Sequence, residues 1–187
     1  MTSRFVCLSV LTAMSVFPAT LERLSLDDMI VKSTEIVRGR VTSVSSARRG
    51  ALIVTQIRVA VSERWKGPEA SSVDVFLHGG TFQGLRQTFS GTPELREGSE
   101  YVFFLWAGKS GNRQIIGLSQ GVLDIQPTPS KSAGTGVELM AHRAAIEGML
   151  DGATQQEVHD AGLAISLESL RARIGRVLGG GGNLEKQ

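Results

Sequence analysis

Hydrophobic and polar residues alternate along several short segments of this chain. The alternation is clearest in IVTQIRVAV, where Ile53, Ile57 and Val59 share one face with Thr55 and Val61. A period of two is typical of a strand with one buried face. The same pattern predicts strands at 37–41 and 73–77, and ARRGA at 47–51 predicts a hairpin between the first two strands.

A further segment, YVFFLWA at 101–107, is apolar on both faces. It therefore predicts a strand that is covered on both sides or lies at a barrel corner. QIIGLSQGVLDI at 114–125 predicts two more short strands, around Gly117 and Gly121. Five or six strands separated by turns, with no helix between them, favour a mainly β fold, an antiparallel barrel or sandwich with α-helical additions.

The pattern changes to a helical period at both ends of this region. Ser25 and Asp28 form a capping box, which predicts a short helix over Leu26–Lys32. PTPSKSAGTG at 127–136 contains no apolar residue larger than Ala and predicts a linker. Helical spacing in VELMAHRAAIEGMLDG (137–152) and SLESLRARIGRVLGGGG (166–182) predicts a helical tail over 137–187.

The N-terminus has the composition of a secretory signal peptide, with Arg4 followed by an apolar run from Phe5 to Phe17. The run is shorter than the roughly 20 residues of a membrane-spanning helix. We therefore predict a signal peptide at 1–19, a barrel domain at 20–126 and no stable membrane span after signal removal. The alternative is a retained anchor. The expected location is secreted or periplasmic.

Cysteine and charge narrow the expected chemistry. The only cysteine, Cys7, leaves with the predicted signal peptide, so the mature chain has no disulfide and no thiol catalysis. The net charge is only +2, and the basic residues are scattered along the chain instead of forming a patch, which argues against a nucleic-acid partner. The three histidines lack the spacing of a zinc motif, so neither a metal nor another cofactor is predicted.

GLSQG, from Gly117 to Gly121, fits the G-x-S-x-G pattern of a hydrolase nucleophile elbow, with Ser119 as the nucleophile. That motif requires a strand, a sharp turn and then a helix, whereas VLDI predicts another strand here. A turn is the favoured interpretation, and a small secreted hydrolase that uses Ser119 remains the alternative.

The glycine-rich stretch from His78 to Trp106 divides into two parts. Gly79, Gly80, Gly91, Pro93 and Gly98 are turn residues that lead into the aromatic strand. TFQGLRQTF is predicted to be a loop that exposes apolar side chains for a partner. The candidate binding residues are Thr81, Phe82, Gln83, Gly84, Leu85, Arg86 and Phe89.

Four blocks resemble a family of secreted bacterial proteins: EIVRGRVTSV, VSERWKG, GGTFQGLRQTFSGTPELREGSEYVFFLW and IGLSQGVLDI. Taken in order, these blocks contain five motifs of the family: G-x-V, KG, GG, GxPxLxxGxEYVxFL and GLxQG. In the fourth motif, Ser99 stands where the family usually has Glu. The strand order is similar to that of the five-stranded oligonucleotide/oligosaccharide-binding (OB) barrel of netrin-like modules and tissue inhibitors of metalloproteinases. The resemblance implies an OB-like barrel. Protease inhibition by the mechanism of those inhibitors is not implied, because the predicted mature chain lacks their N-terminal Cys-x-Cys.

Together these observations predict an exported, non-enzymatic binding or accessory module. Its partner would be an exported or cell-envelope protein, bound through the 78–99 loop. A purely structural envelope protein, with the tail helices packed on the barrel, is a further alternative.

Overall fold

The computed structural model describes residues 21–108, 111–129 and 137–180, and within them the chain is mainly β. The predicted signal peptide at 1–19, residues 130–136 of the predicted linker and the tail end at 181–187 lie outside the described residues. The strands, in chain order, are β1 (Leu21–Glu22), β2 (Glu35–Arg49), β3 (Leu52–Lys66), β4 (Ser72–His78), β5 (Gly80–Phe82), β6 (Leu85–Gln87), β7 (Glu100–Ala107), β8 (Arg113–Ile115), β9 (Val122–Pro129), β10 (Val137–Arg143), β11 (Met149–Leu150), β12 (Glu157–Val158) and β13 (Leu163–Ser166).

In these described ranges, two α-helices accompany the strands. The first, α1 (Leu26–Lys32), begins at Ser25, whose hydroxyl accepts a hydrogen bond from the Asp28 amide while the Asp28 carboxylate accepts one from the Ser25 amide. The predicted capping box and helix bounds are therefore confirmed. The second helix, α2 (Leu167–Gly180), confirms the helical pattern near the C-terminus.

Strand β7 is the point at which the main sheet forks. On one edge, it pairs along Glu100–Leu105 with β2. On the other edge, Tyr101–Phe103 pair with β9, whereas Leu105–Ala107 pair with β8. One branch continues through β9 to β10 and β13, and the other turns back through β8 towards β4.

The second branch makes a barrel-like ring from β7, β2, β3, β4 and β8. Neighbours in the ring are antiparallel except β4 and β8, which are parallel. The β4–β8 join consists of one residue pair, Val75 with Arg113, while seven pairs join β3 to β4. The ring is therefore closed unevenly and is weakest between β4 and β8.

The predicted helix over 137–152 is wrong, because Val137–Arg143 form strand β10 between β9 and β13. The predicted linker is also partly wrong, since 127–129 belong to β9. Leu139, Ile146 and Met149 matched a helical period, but pairing with two neighbouring strands outweighs this weak local preference. Ala141 is fully buried at the centre of β10.

Two hydrophobic cores lie on opposite faces of β7. Tyr101, Phe103 and Leu105 point into the barrel with the inward residues of β2, β3 and β4. Val102 and Phe104 point the other way, against a core that includes residues of both helices. The prediction of a strand covered on both sides is confirmed, and the C-terminal region packs on the sheet. Neither helix combines the length and hydropathy of a membrane-spanning segment.

Candidate functional site

The predicted binding loop is a β-hairpin rather than an irregular loop. β5 pairs with β6 through Thr81 with Arg86 and Phe82 with Leu85. Gln83 and Gly84 form the turn between them and have φ values of 49° and 79°. Two consecutive positive φ values are typical of the tight turn that suits the twist of a hairpin, and glycine adopts them without steric cost.

Hydrogen bonds fix the base of the hairpin to the barrel. The Gly79 amide donates to the Ile53 carbonyl at 2.7 Å. The Ile53 amide in turn donates to Oε1 of Gln87 at 2.7 Å. Thr55 adds a third link, since its hydroxyl donates to the Gly79 carbonyl at 2.6 Å. These bonds hold the β5–β6 hairpin over the end of the sheet at which the turn joins β2 to β3.

A cavity of about 460 Å³ opens between this hairpin and the following segment. Its apolar floor belongs to the barrel core and includes Val44, Ile57 and Leu77. Arg86 on the hairpin and Glu94 on the opposite wall face each other, with 3.8 Å between nitrogen and oxygen. Both side chains are largely exposed, so solvent screens this pair. We call this cavity the mouth of the barrel.

The segment 88–99 forms the opposite wall of the mouth. Its last residues continue the hydrogen bonding to β2 past Arg40, where the pairing between β2 and β7 ends. The Gly98 amide donates to the Val41 carbonyl at 2.8 Å, and the Val41 amide donates to the Ser99 carbonyl at 2.9 Å. Glu97 accepts from the Val44 amide at 2.7 Å. The turn glycines have positive φ values: Gly79 95°, Gly80 131°, Gly91 77° and Gly98 81°, with Pro93 between the last two.

Two apolar side chains stand exposed beside the mouth. Phe89 lines the mouth and is 41% exposed, while Leu85 at the tip of the hairpin is 60% exposed and lies outside the lining. Phe89 packs edge-on against His78, with 6.1 Å between the ring centroids. Phe82, the third apolar residue predicted to be exposed, is half-buried. Exposed apolar groups next to a cavity are typical of interaction sites.

At the other end of β2 and β3, a buried ionic cluster fills the space between strands. Glu35 accepts from Arg64 at 2.8 Å and from Arg113 at 2.6 Å. Glu35 and Arg64 are both almost completely buried. Because a buried charge needs such partners, this cluster has a structural explanation and is not a candidate site.

Ser119 lies in a 3₁₀ turn, Leu118–Gly121, between strands β8 and β9. The helix that a nucleophile elbow requires is therefore absent at this point of the described chain. Gln120 and Gly121 each have a structural role in the GLSQG segment. The buried amide of Gln120 accepts from the Leu24 backbone and donates to the Glu22 carbonyl, both at 2.8 Å. At Gly121, an added Cβ would lie 2.3 Å from the Ile116 carbonyl oxygen, so only glycine fits.

A second cavity, of about 440 Å³, is lined by Ser119 together with Asp124 and His142. Asp124 and His142 are directly opposite each other on β9 and β10. In the sequence, the predicted linker at 127–136 separates His142 from Ser119, so this proximity is visible only in the folded chain. Within the described residues, however, no hydrogen bond joins Ser119 to His142 or His142 to Asp124. A general base must reach the proton that it removes.

Arg143 also borders this second cavity, and its charge is neutralised. Its Nη2 donates to Oδ1 of Asp160 at 3.0 Å, and the Ile146 amide donates to the same carboxylate at 3.0 Å. The Arg143 guanidinium holds the pKa of the Asp160 carboxyl below its usual value, against the opposing effect of burial. The pair therefore fixes the chain after β10, and the charge of Arg143 is compensated by Asp160.

In the part of the chain that the structure describes, no group of three or more His, Cys, Asp or Glu side chains could hold a metal ion. Comparisons with known proteins add no assignment: no family model, no curated protein and no solved structure matches this chain. The resemblance to a secreted bacterial family and to netrin-like barrels stays a prediction.

Sequence reasoning identified Leu85 and Phe89 as exposed, but it predicted a loop where the hairpin forms and missed the polar and apolar groups below it. Ser46 and Thr55 lie under the hairpin, with 2.8 Å between their hydroxyl oxygens. Thr55 is buried and lines the mouth. One signal was available: Thr55 is the only polar residue on the inward face of IVTQIRVAV.

Proposed function

We propose that the protein is an exported, non-enzymatic binding module that holds a protein partner at the mouth of the barrel. The observation that carries the proposal is the anchored hairpin with exposed Leu85 beside a cavity of about 460 Å³. Hydrogen bonds fix both walls, so binding would require little ordering of the site. Export and the signal peptide belong to the proposal and rest on the sequence at 1–19.

We propose further that the barrel is of the OB type. In support, five strands form the ring, three of them, β2, β3 and β4, follow one another as an antiparallel meander, and the last strand, β8, lies between β4 and β7. OB barrels use the strand face and the loops at one end for binding. The mouth lies at such an end.

Site-specific photo-cross-linking tests the proposed mouth. A photoreactive amino acid replaces Leu85 in one variant and Val31 in a matched control. Val31 is 62% exposed on α1, which contributes no residue to the mouth lining, whereas the hairpin that carries Leu85 contributes Thr81, Arg86 and Gln87. Applied to the envelope fraction of the native host, the variant at position 85 should capture one identifiable protein, and unmodified protein should compete for it. Equal capture from both positions would contradict the proposal.

The hydrolase alternative is supported only by the cavity that Ser119, Asp124 and His142 share. If it is correct, Ser119→Ala should abolish an esterase or peptidase activity of the purified protein while leaving the unfolding transition unchanged. We expect no such loss, because no hydrogen bond within the described residues activates the serine.

A further inference from the structure

The join between β4 and β8 leaves an unpaired strand edge. On the β3 side, β4 is paired along its whole length, from Ser72 to His78. On the β8 side, Val75 alone has a pairing partner among the described residues, so within them Phe76, Leu77 and His78 have a paired strand on one side only. Unpaired backbone N–H and C=O groups on a strand edge are a template for another extended chain.

A cavity of about 460 Å³ lies along this edge, distinct from the mouth but sharing Leu77, His78 and Phe89 with it. Its lining is mainly apolar and comes from both sides of the weak join: Leu52, Phe76, Leu77, Phe89, Ile115 and Leu118. A smaller cavity of about 160 Å³ continues along Phe76 and His78 to Arg49. We call these two cavities together the seam.

The charge of the seam is one-sided. Arg49 and His78 are its ionisable lining residues within the described chain, and no Asp or Glu lines either cavity. The Arg49 guanidinium carbon stands 5.8 Å from the centroid of the Phe76 ring. In the described residues no carboxylate lies within ion-pairing distance of Arg49. An occupant with a negative charge would therefore complement this side of the site.

We propose that the seam binds an extended polypeptide segment that adds a strand to the β4 edge, with an apolar side chain in the larger cavity and an acidic side chain near Arg49. The backbone groups of the β4 edge would hydrogen-bond to a polypeptide backbone. The apolar lining would favour the apolar side chain, and Arg49 would favour the acidic one. The inference rests on the proposed function, because it names the chemistry of the partner that the neighbouring mouth would hold.

A blocked pentapeptide of sequence Thr, Leu, Asp, Leu, Thr is the probe, titrated into the full protein. Two matched peptides carry Lys in place of Asp, or N-methyl groups on alternate amides. Binding of the first peptide should shift the NMR amide signals of residues 76–78 and 113–115. The Lys peptide should bind more weakly, and N-methylation should abolish binding by removing the backbone donors.

Arg49→Gln should weaken binding of the Asp peptide by about two- to fivefold and should not weaken binding of the Lys peptide, because it removes an attraction in the first case and a repulsion in the second. Arg48→Gln is the matched control, since Arg48 is the adjacent exposed arginine and lines neither cavity of the seam. Thermal unfolding of both variants verifies that each is folded.

The inference is overturned if the peptide does not bind at millimolar concentration, if N-methylation is tolerated, or if a single-stranded oligonucleotide displaces the peptide from the same amides. Cross-linking from position 85 separates the two proposals. Capture there without peptide binding leaves the proposed function standing and removes the seam. Peptide binding without capture removes the mouth as the partner site.

Discussion

The two faces of β7 bury similar side chains in different surroundings. Phe103 points into the barrel, where the core ends at the mouth and the seam. Phe104 points towards the helices, where Leu170 and Ile174 of α2 close the core. One strand therefore serves a closed core on one side and, on the other, a core that opens to candidate binding cavities.

The largest expected effect separates the closed core from the open one. Phe104→Ala should lower the free energy of unfolding by about 4 kcal/mol, because a fully buried ring is removed from a site closed on all sides. Leu77→Ala should cost about 2 kcal/mol, since Leu77 already borders the mouth and the seam. Urea unfolding with an unchanged m-value measures both. Because a phenyl ring is larger than a leucine side chain, Leu170→Ala in the closed core is the matched substitution, and a loss there equal to that of Leu77→Ala would mean that the two cores are equally closed.

The second-largest loss of stability is expected at the buried ion pair between Arg143, at the end of β10, and Asp160. Asp160→Asn should lower the free energy of unfolding by about 3 kcal/mol, because it leaves the Arg143 charge buried without its counter-charge. Asn has nearly the same shape as Asp, so the loss reports charge rather than packing. Asp151→Asn is the control, since the Asp151 carboxylate accepts hydrogen bonds from the adjacent turn residues Ala153 and Thr154 and has no buried counter-charge in the described residues. Urea unfolding at pH 7 compares the two variants.

The same residue gives a pH dependence. The pKa of Asp160 is lowered in the folded protein by Arg143, so its stabilising effect is complete above the unfolded value near 3.8 and is lost as the pH falls through the lower folded value. Wild-type protein should therefore lose more stability than Asp160→Asn when the pH falls below about 4. Parallel losses in unfolding scans would contradict this assignment.

The features of the two cores that depend on residues close together in the sequence could be predicted from it. The apolar run at 101–107 indicated two covered faces, and Ser25 with Asp28 indicated the start of α1. The strand at 137–143 could not be predicted in this way. Its pairing is decided by β9 and β13, whereas its own residues favour a helical period. Long-range contacts override weak local preference.

The candidate site shows the same division. The exposed apolar residues Leu85 and Phe89 were predicted from the sequence, whereas the turn at Gln83 and Gly84 was not, because that segment was interpreted as a loop. The floor of the mouth was not predicted either, because it comes from three strands that close around it. The role of Gln120 was equally hidden, since its amide holds the backbone of Leu24, 96 positions away. Such contacts exist only after the sheet has folded.

A smaller effect is expected at the ion pair that fastens α2 over the closed core. Arg171 donates to Glu63 at 2.8 and 2.6 Å, and this contact is the main reason why the pKa of Glu63 is lowered. Arg171→Gln should cost about 0.5 kcal/mol at low salt, because both side chains are partly exposed and solvent screens them. The difference should disappear near 1 M salt. Arg176→Gln, which breaks no ion pair within the described residues, is the control.

The smallest effect on stability is expected at the hairpin, where the effect on binding should be largest. Leu85→Ser should change the free energy of unfolding by less than about 0.5 kcal/mol, because a side chain that is 60% exposed buries little apolar area on folding. Val31→Ser should behave alike in urea unfolding, since Val31 is 62% exposed. Only Leu85→Ser should reduce binding of the cross-linked partner. A clear loss of stability with Leu85→Ser alone would instead place Leu85 in the packing of the barrel and leave the mouth without its exposed contact.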